Sequence, residues 1–160
     1  MHSEKGTPFI RIHADGEGNS LKTDSSWRSF PIHPELVRIG FLNFVEELRE
    51  KGQEHLFPEL LHPDRIPSYR LSKLFRSMLN ALDIKDPGYC FHSFRHTFRD
   101  ALRLSRTDIE VVEKLGGWSS KRTSSHYGEG YTMDLLHEDI CEVQFPDLDL
   151  SFLYGEAKRP

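Results

Sequence analysis

After Ser68, apolar residues fall at Leu71, Leu74, Phe75, Met78, Leu79 and Leu82. This is the i, i+3, i+4 spacing of one helix face, and a strand of period two cannot gather that set on one side. The stretch therefore fixes a helix with an apolar stripe to bury. The same periodicity recurs along the chain. Leu36, Val37, Phe41, Phe44, Val45 and Leu48 stripe a helix that starts after Pro34 and ends at Gly52. Another helix spans about Ser93 to Leu104, with Phe94, Phe98, Ala101 and Leu102 on its buried side. A further one begins at Thr107, where Thr107-x-x-Glu110 reads as a capping box, and stops at Gly116-Gly117. Residues 132–143 give a last amphipathic helix through Leu135, Leu136, Ile140 and Val143.

The start of the chain alternates instead, and the tail alternates apolar and acidic residues through Phe145, Leu148, Leu150, Phe152 and Leu153. Pro8–His13 reads as a strand, Asp15–Asn19 as turn chemistry and Trp27–Ile32 as the return strand, while residues 1–7 read as a loose end. The expected fold is α+β and mostly α-helical, a small N-terminal antiparallel hairpin packed on a helical bundle. The 160 residues fit a single domain. No apolar run approaches the roughly 20 residues that cross a bilayer, and no charged-then-apolar leader opens the chain. Cys90 and Cys141 are far apart and without metal-type spacing; reduced thiols of a cytoplasmic protein are the simpler reading, a disulfide the alternative.

A net charge of −4 argues against the basic footprint of a nucleic-acid-binding protein. The charge is segregated, however. Acid gathers in Glu46, Glu47, Glu50 and Glu54, and again from Glu138 to Asp149. Between these lie His92, Arg95, His96, Arg99, Arg103 and Arg106, followed by Lys114, Lys121 and Arg122. His92 and Arg95 project from one helix face, which Arg99 and Arg103 extend. Taken alone, this stripe is the solvated side of an amphipathic helix. The run Leu115-Gly116-Gly117-Trp118 through Tyr127, taken alone, is a Gly/Ser loop with a core Trp and an ordinary Tyr.

The two segments together carry more. His92-x-x-Arg95, then Leu115-Gly-Gly-Trp118, then Tyr127 nine residues later resembles the signature of tyrosine recombinases, the phage-integrase type of DNA strand-transfer enzyme. Tyr127-Gly-Glu-Gly-Tyr131 is similar to the wording around the nucleophile in proteobacterial phage integrases, and Lys22 through Leu36 is similar to the family's hairpin, KTxxSxRxVPLHPEL. The resemblance covers nearly the whole chain.

It implies that Tyr127 attacks a phosphodiester and forms a 3′-phosphotyrosyl link. Arg95 clamps a non-bridging oxygen, and His92 accepts or positions the nucleophile's proton. Trp118 donates its N–H or packs on the phosphate, and Lys22 protonates the leaving 5′ oxygen. Arg99, Arg103, Lys121 and Arg122 are the expected DNA contacts. The implied partners are double-stranded DNA and sibling protomers. The apolar tail residues Phe145, Leu148, Phe152 and Leu153 either cover their own core, the simpler reading, or pack on a neighbouring subunit as the family's tail can. No metal, cofactor or membrane enters. The alternative for the basic stripe is a catalytically silent module that binds DNA or another integrase. A metal site on Cys90, His92 and His96 lacks an acidic third ligand at suitable spacing.

One departure bears on activity. The family's first catalytic arginine belongs to a Gly-x-Arg-x-x-Glu motif before the lysine hairpin, and no such motif occurs here; Arg11 and Arg28 are poor substitutes. The family's N-terminal DNA-clamping domain is likewise missing from the sequence. By analogy with loss of one oxyanion donor, strand transfer by this chain alone is expected to be slower by roughly 10²–10³-fold.

Overall fold

The alternating start forms the only sheet among the described residues. The computed structural model describes residues 2–4, 6–13, 27–61, 67–118 and 131–154. Strands β1 (His2–Glu4), β2 (Thr7–Ile12) and β3 (Arg28–Pro31) form an antiparallel sheet in the order β1-β2-β3. In β2–β3 the register pairs Phe9 with Pro31, Ile10 with Phe30, Arg11 with Ser29 and Ile12 with Arg28. The expected hairpin is therefore present, with one strand more than expected. Residues 1–7, read as a loose end, contribute β1, which pairs His2 with Phe9 and Glu4 with Thr7. A three-residue polar strand has no alternation to reveal it; only its partner's ladder holds it in place.

Among the described residues six α-helices follow: α1 (Pro34–Arg38), α2 (Phe41–Glu50), α3 (Pro67–Ala81), α4 (Ser93–Leu104), α5 (Ile109–Gly116) and α6 (Met133–Cys141). Single 3-10 turns lie at Pro58–Leu60 and Ser151–Leu153. The chain is thus mostly helical with a small antiparallel sheet, as expected. The helix expected over residues 34–52 is two helices. Gly40, at φ +89°, takes a conformation closed to a helix and available at low cost only to glycine, and this breaks the run. At α5 the cap is Asp108 rather than Thr107. The Asp108 carboxylate accepts the Glu110 N–H at 2.8 Å, whereas Thr107 pairs its hydroxyl with that of Ser105 at 2.8 Å.

The chain divides into two compact units, residues 1–42 with 99–160 and residues 43–98. In the first, α5 and α6 pack on the sheet. Phe9 and Ile32 meet Leu102, Val111, Val112, Leu115, Leu136, Ile140 and Val143 in a buried core, within which Leu102 is wholly enclosed. Burying a side chain of that size contributes about 1.5–3 kcal/mol. Leu135, expected in the α6 stripe, is exposed; Met133 takes the inward place. His33 ties the chain ends of this unit. Its Nδ1 accepts the Glu35 N–H at 3.1 Å, which leaves Nε2 to donate to the Val143 carbonyl at 3.0 Å. The Tyr154 hydroxyl donates to the Glu35 carboxylate at 2.5 Å, and Arg38 pairs with the same carboxylate at 2.6 Å.

The second unit is thinner. Val45 and Leu79 are its buried apolar residues among those described, and Leu74, Met78 and Leu82 of the α3 stripe lie in solvent.

Candidate active site

The N-terminal end of α4 is set by a tight turn in the second unit. Asp86 accepts the Gly88 N–H on its side chain at 2.7 Å, an Asx turn. The Ser93 hydroxyl donates to the Gly88 carbonyl at 3.2 Å and accepts the Cys90 N–H at 3.1 Å. Hydrogen bonding to Ser93 draws the exposed Cys90 thiol below its usual pKa. His92, two residues on from Cys90, is exposed, and its carbonyl takes the Arg95 N–H at 3.0 Å in the first turn. His92 and Arg95 are thus placed one turn apart at the start of α4.

Phe75, Phe91 and Phe94 form an edge-to-face cluster beside them, with centroids 5.4–5.8 Å apart. Phe94, expected to be buried, is 57% exposed. It belongs to this surface cluster rather than to a core. The His92 and His96 rings meet edge to face at 5.4 Å. Among the described residues no group of three or more His, Cys, Asp or Glu is arranged to hold a metal.

In the first unit, α5 ends in a Schellman turn. Gly117 adopts φ +62°, its N–H reaches the Lys114 carbonyl, and the Trp118 N–H reaches back to the Glu113 carbonyl at 3.0 Å. This reversal folds the Trp118 indole onto the Cα of Gly116, where a Cβ would overlap the ring. The Arg28 guanidinium lies where a Cβ on Gly117 would fall, closest at its Nη1. Both glycines of the Gly-Gly-Trp run are therefore required, the first for ring contact and the second for its backbone angle and for Arg28. On the indole face sits Arg99, its guanidinium carbon 5.1 Å from the ring centroid. Arg103, one turn further along α4, is exposed and pairs with Asp100 at 3.2 Å.

Lys22, Lys121, Arg122 and the nucleophile position Tyr127 lie outside the described residues. Tyr131 does not. Its hydroxyl donates to Asp108 at 3.3 Å, and burial first, then the nearby Asp108 charge, push its pKa up.

A model of the phage integrase family matches residues 19–132, well over half of the chain. The chain belongs to the phage integrase family. No curated protein and no solved structure matches it. The family is one of site-specific DNA recombination, so DNA is the substrate class of this integrase-family chain. No helix among its described residues is long and apolar enough to cross a membrane.

Sequence reasoning singled out Trp118 and Arg99 separately. It missed that they stack and that Arg28 closes on Gly117. Contacts between residues 19 and 89 positions apart leave no local pattern to read.

Proposed function

We propose that this chain carries the strand-transfer chemistry of a tyrosine recombinase. Tyr127 attacks the scissile phosphodiester, the Tyr–phosphate bond forms as the bond to the 5′ oxygen breaks, and a 3′-phosphotyrosyl link holds the strand. A tyrosine phenol, with a reference pKa of about 10, is protonated at neutral pH, so it must lose its proton during attack, and His92 accepts or positions that proton. Charge on the non-bridging oxygens is met by Arg95 and by the Trp118 N–H. Lys22 returns a proton to the leaving oxygen. Because the link conserves bond energy, rejoining to a new strand needs no nucleotide cofactor. Arg103, Lys121 and Arg122 supply phosphate contacts along the duplex, and the working compartment is the bacterial cytoplasm at the nucleoid.

One observation carries the reading. The family match spans 19–132 and takes in all five residues, Lys22, His92, Arg95, Trp118 and Tyr127. The exposed tail residues Leu148, Phe152 and Leu153 support contact with a sibling protomer.

The test is a nicked DNA duplex that traps the covalent product. A protein–DNA adduct on a denaturing gel, lost in Tyr127→Phe, is expected. An adduct that persists in the Phe variant overturns the assignment.

The −4 net charge favours a second reading, a DNA- or integrase-binding module without chemistry. Salt-dependent DNA binding with no adduct at any time point would select it.

A further inference from the structure

We propose that Arg99 is a positioning residue for Trp118, a planar cation that fixes the indole by stacking on it, rather than a contact to DNA. Three observations carry this. The Arg99 guanidinium lies over the Trp118 ring at 5.1 Å, the geometry of a cation–π pair. Its Nε is buried and has no hydrogen-bond partner among the described residues, so that edge of the guanidinium is closed to a phosphate. The other ring environment is equally fixed. The Schellman turn pins the Trp118 backbone, and Gly116 gives the ring a flat floor. Arg103, on the same helix, shows the opposite behaviour: it is exposed and ion-paired at the surface.

The stack has two consequences for the indole. It holds the ring, and therefore the N–H, in one direction. It also draws electron density from the ring toward the cation, which makes the N–H a stronger donor to an anion. Lysine cannot replace Arg99 here, because a compact ammonium has neither the plane nor the weak hydration that stacking uses. The consequence for strand transfer rests on the proposed role of Trp118 at the scissile phosphate; the stack itself does not.

The experiment reads the two separately. Trp27→Phe leaves Trp118 as the sole tryptophan of the 160-residue chain. In that background Arg99→Met is expected to shift Trp118 emission and raise its quenching by acrylamide, with Arg99→Lys failing to restore the parent values. Circular dichroism melting checks that each variant folds, and if the Met variant does not, the Lys variant gives the same reading.

The slope of DNA affinity against salt is expected to be unchanged in Arg99→Met and to fall by about one in Arg103→Ala. Adduct formation is expected to slow by about tenfold to a hundredfold in Arg99→Met at unchanged DNA affinity. Unchanged Trp118 emission and quenching overturn the stack. A salt slope lowered by about one in Arg99→Met overturns the positioning role in favour of a phosphate contact, as does an adduct rate equal to that of the parent. If the parent neither binds DNA nor forms an adduct, the strand-transfer reading fails while the emission data still decide the stack.

Discussion

The two units use helices with the same amphipathic grammar and bury them to different depths. In the first, the stripes of α5 and α6 close on the sheet and leave Leu102, Val111, Val112, Leu136 and Val143 with almost no contact with water. In the second, α3 has the most regular stripe of the chain, yet Leu74, Met78 and Leu82 are more than half exposed and Leu79 alone is enclosed. Phe91 and Phe94, at the start of α4, are exposed too. Periodicity identifies which face is apolar; a second layer is needed before that face becomes core.

Truncation of core side chains separates the units most strongly. Leu136→Ala removes a side chain that is 1% exposed and is expected to cost about 2–5 kcal/mol, whereas Leu74→Ala is expected to stay within about 0.5 kcal/mol. Urea midpoints at constant slope give both numbers. A cost above about 2 kcal/mol at Leu74 would show that its face is covered in solution and would erase the contrast.

Next in size is Gly116→Ala. The added methyl overlaps the Trp118 ring, so the variant should lose about 1–3 kcal/mol and displace the indole. Near-UV circular dichroism reports the displacement, and an unchanged spectrum with unchanged stability would contradict the packing described.

The helix ends offer a comparison on equal terms. Asp83, closing α3 in the second unit, and Arg106, closing α4 in the first, hold φ of +57° and +60° without being glycine. Each left-handed residue costs about 1 kcal/mol relative to glycine. Asp83→Gly and Arg106→Gly should therefore each gain about that much; the exposed Asp83–Lys85 ion pair is worth little. A gain only at Arg106 would mean that α3 is frayed at its end.

The smallest effect concerns pH. The Tyr154 hydroxyl bond, chiefly, holds the Glu35 carboxylate below its usual pKa, and the Glu35 carboxylate raises that of Tyr154. A depressed carboxylate stabilises the fold above its unfolded pKa and loses that contribution as pH falls through the folded value. A raised phenol stabilises it below its own unfolded pKa and loses that contribution as pH rises through the folded value. The tail contact should therefore weaken at both the acid and the alkaline edge, read as faster amide exchange over residues 145–154. Tyr154→Phe should remove both edges; protection factors, corrected for intrinsic exchange, that are constant with pH in the parent would contradict the contact.

Much of the fold was legible. The bounds of α4, the buried Val111-Val112 pair, the Gly117 stop and the β2–β3 hairpin all follow from local chemistry. What was not legible depends on distant contacts or single backbone angles. Gly40 splits one apolar stripe into α1 and α2 without interrupting its periodicity. Asp83 and Arg106 end helices where no glycine marks a stop, and β1 is defined only by its neighbour. For the site, the order and spacing of His92, Arg95, Trp118 and Tyr127 were visible in the sequence. The Arg99–Trp118 stack and the Tyr131–Asp108 bond were not, because tertiary folding alone creates them.

The most direct measurement of the central claim is peptide mapping of the protein–DNA product by mass spectrometry. A nucleotide remnant on Tyr127, with Tyr131 unmodified, is the expected result. A remnant on Tyr131, or on any residue outside the Tyr127-Gly-Glu-Gly-Tyr131 run, would contradict it.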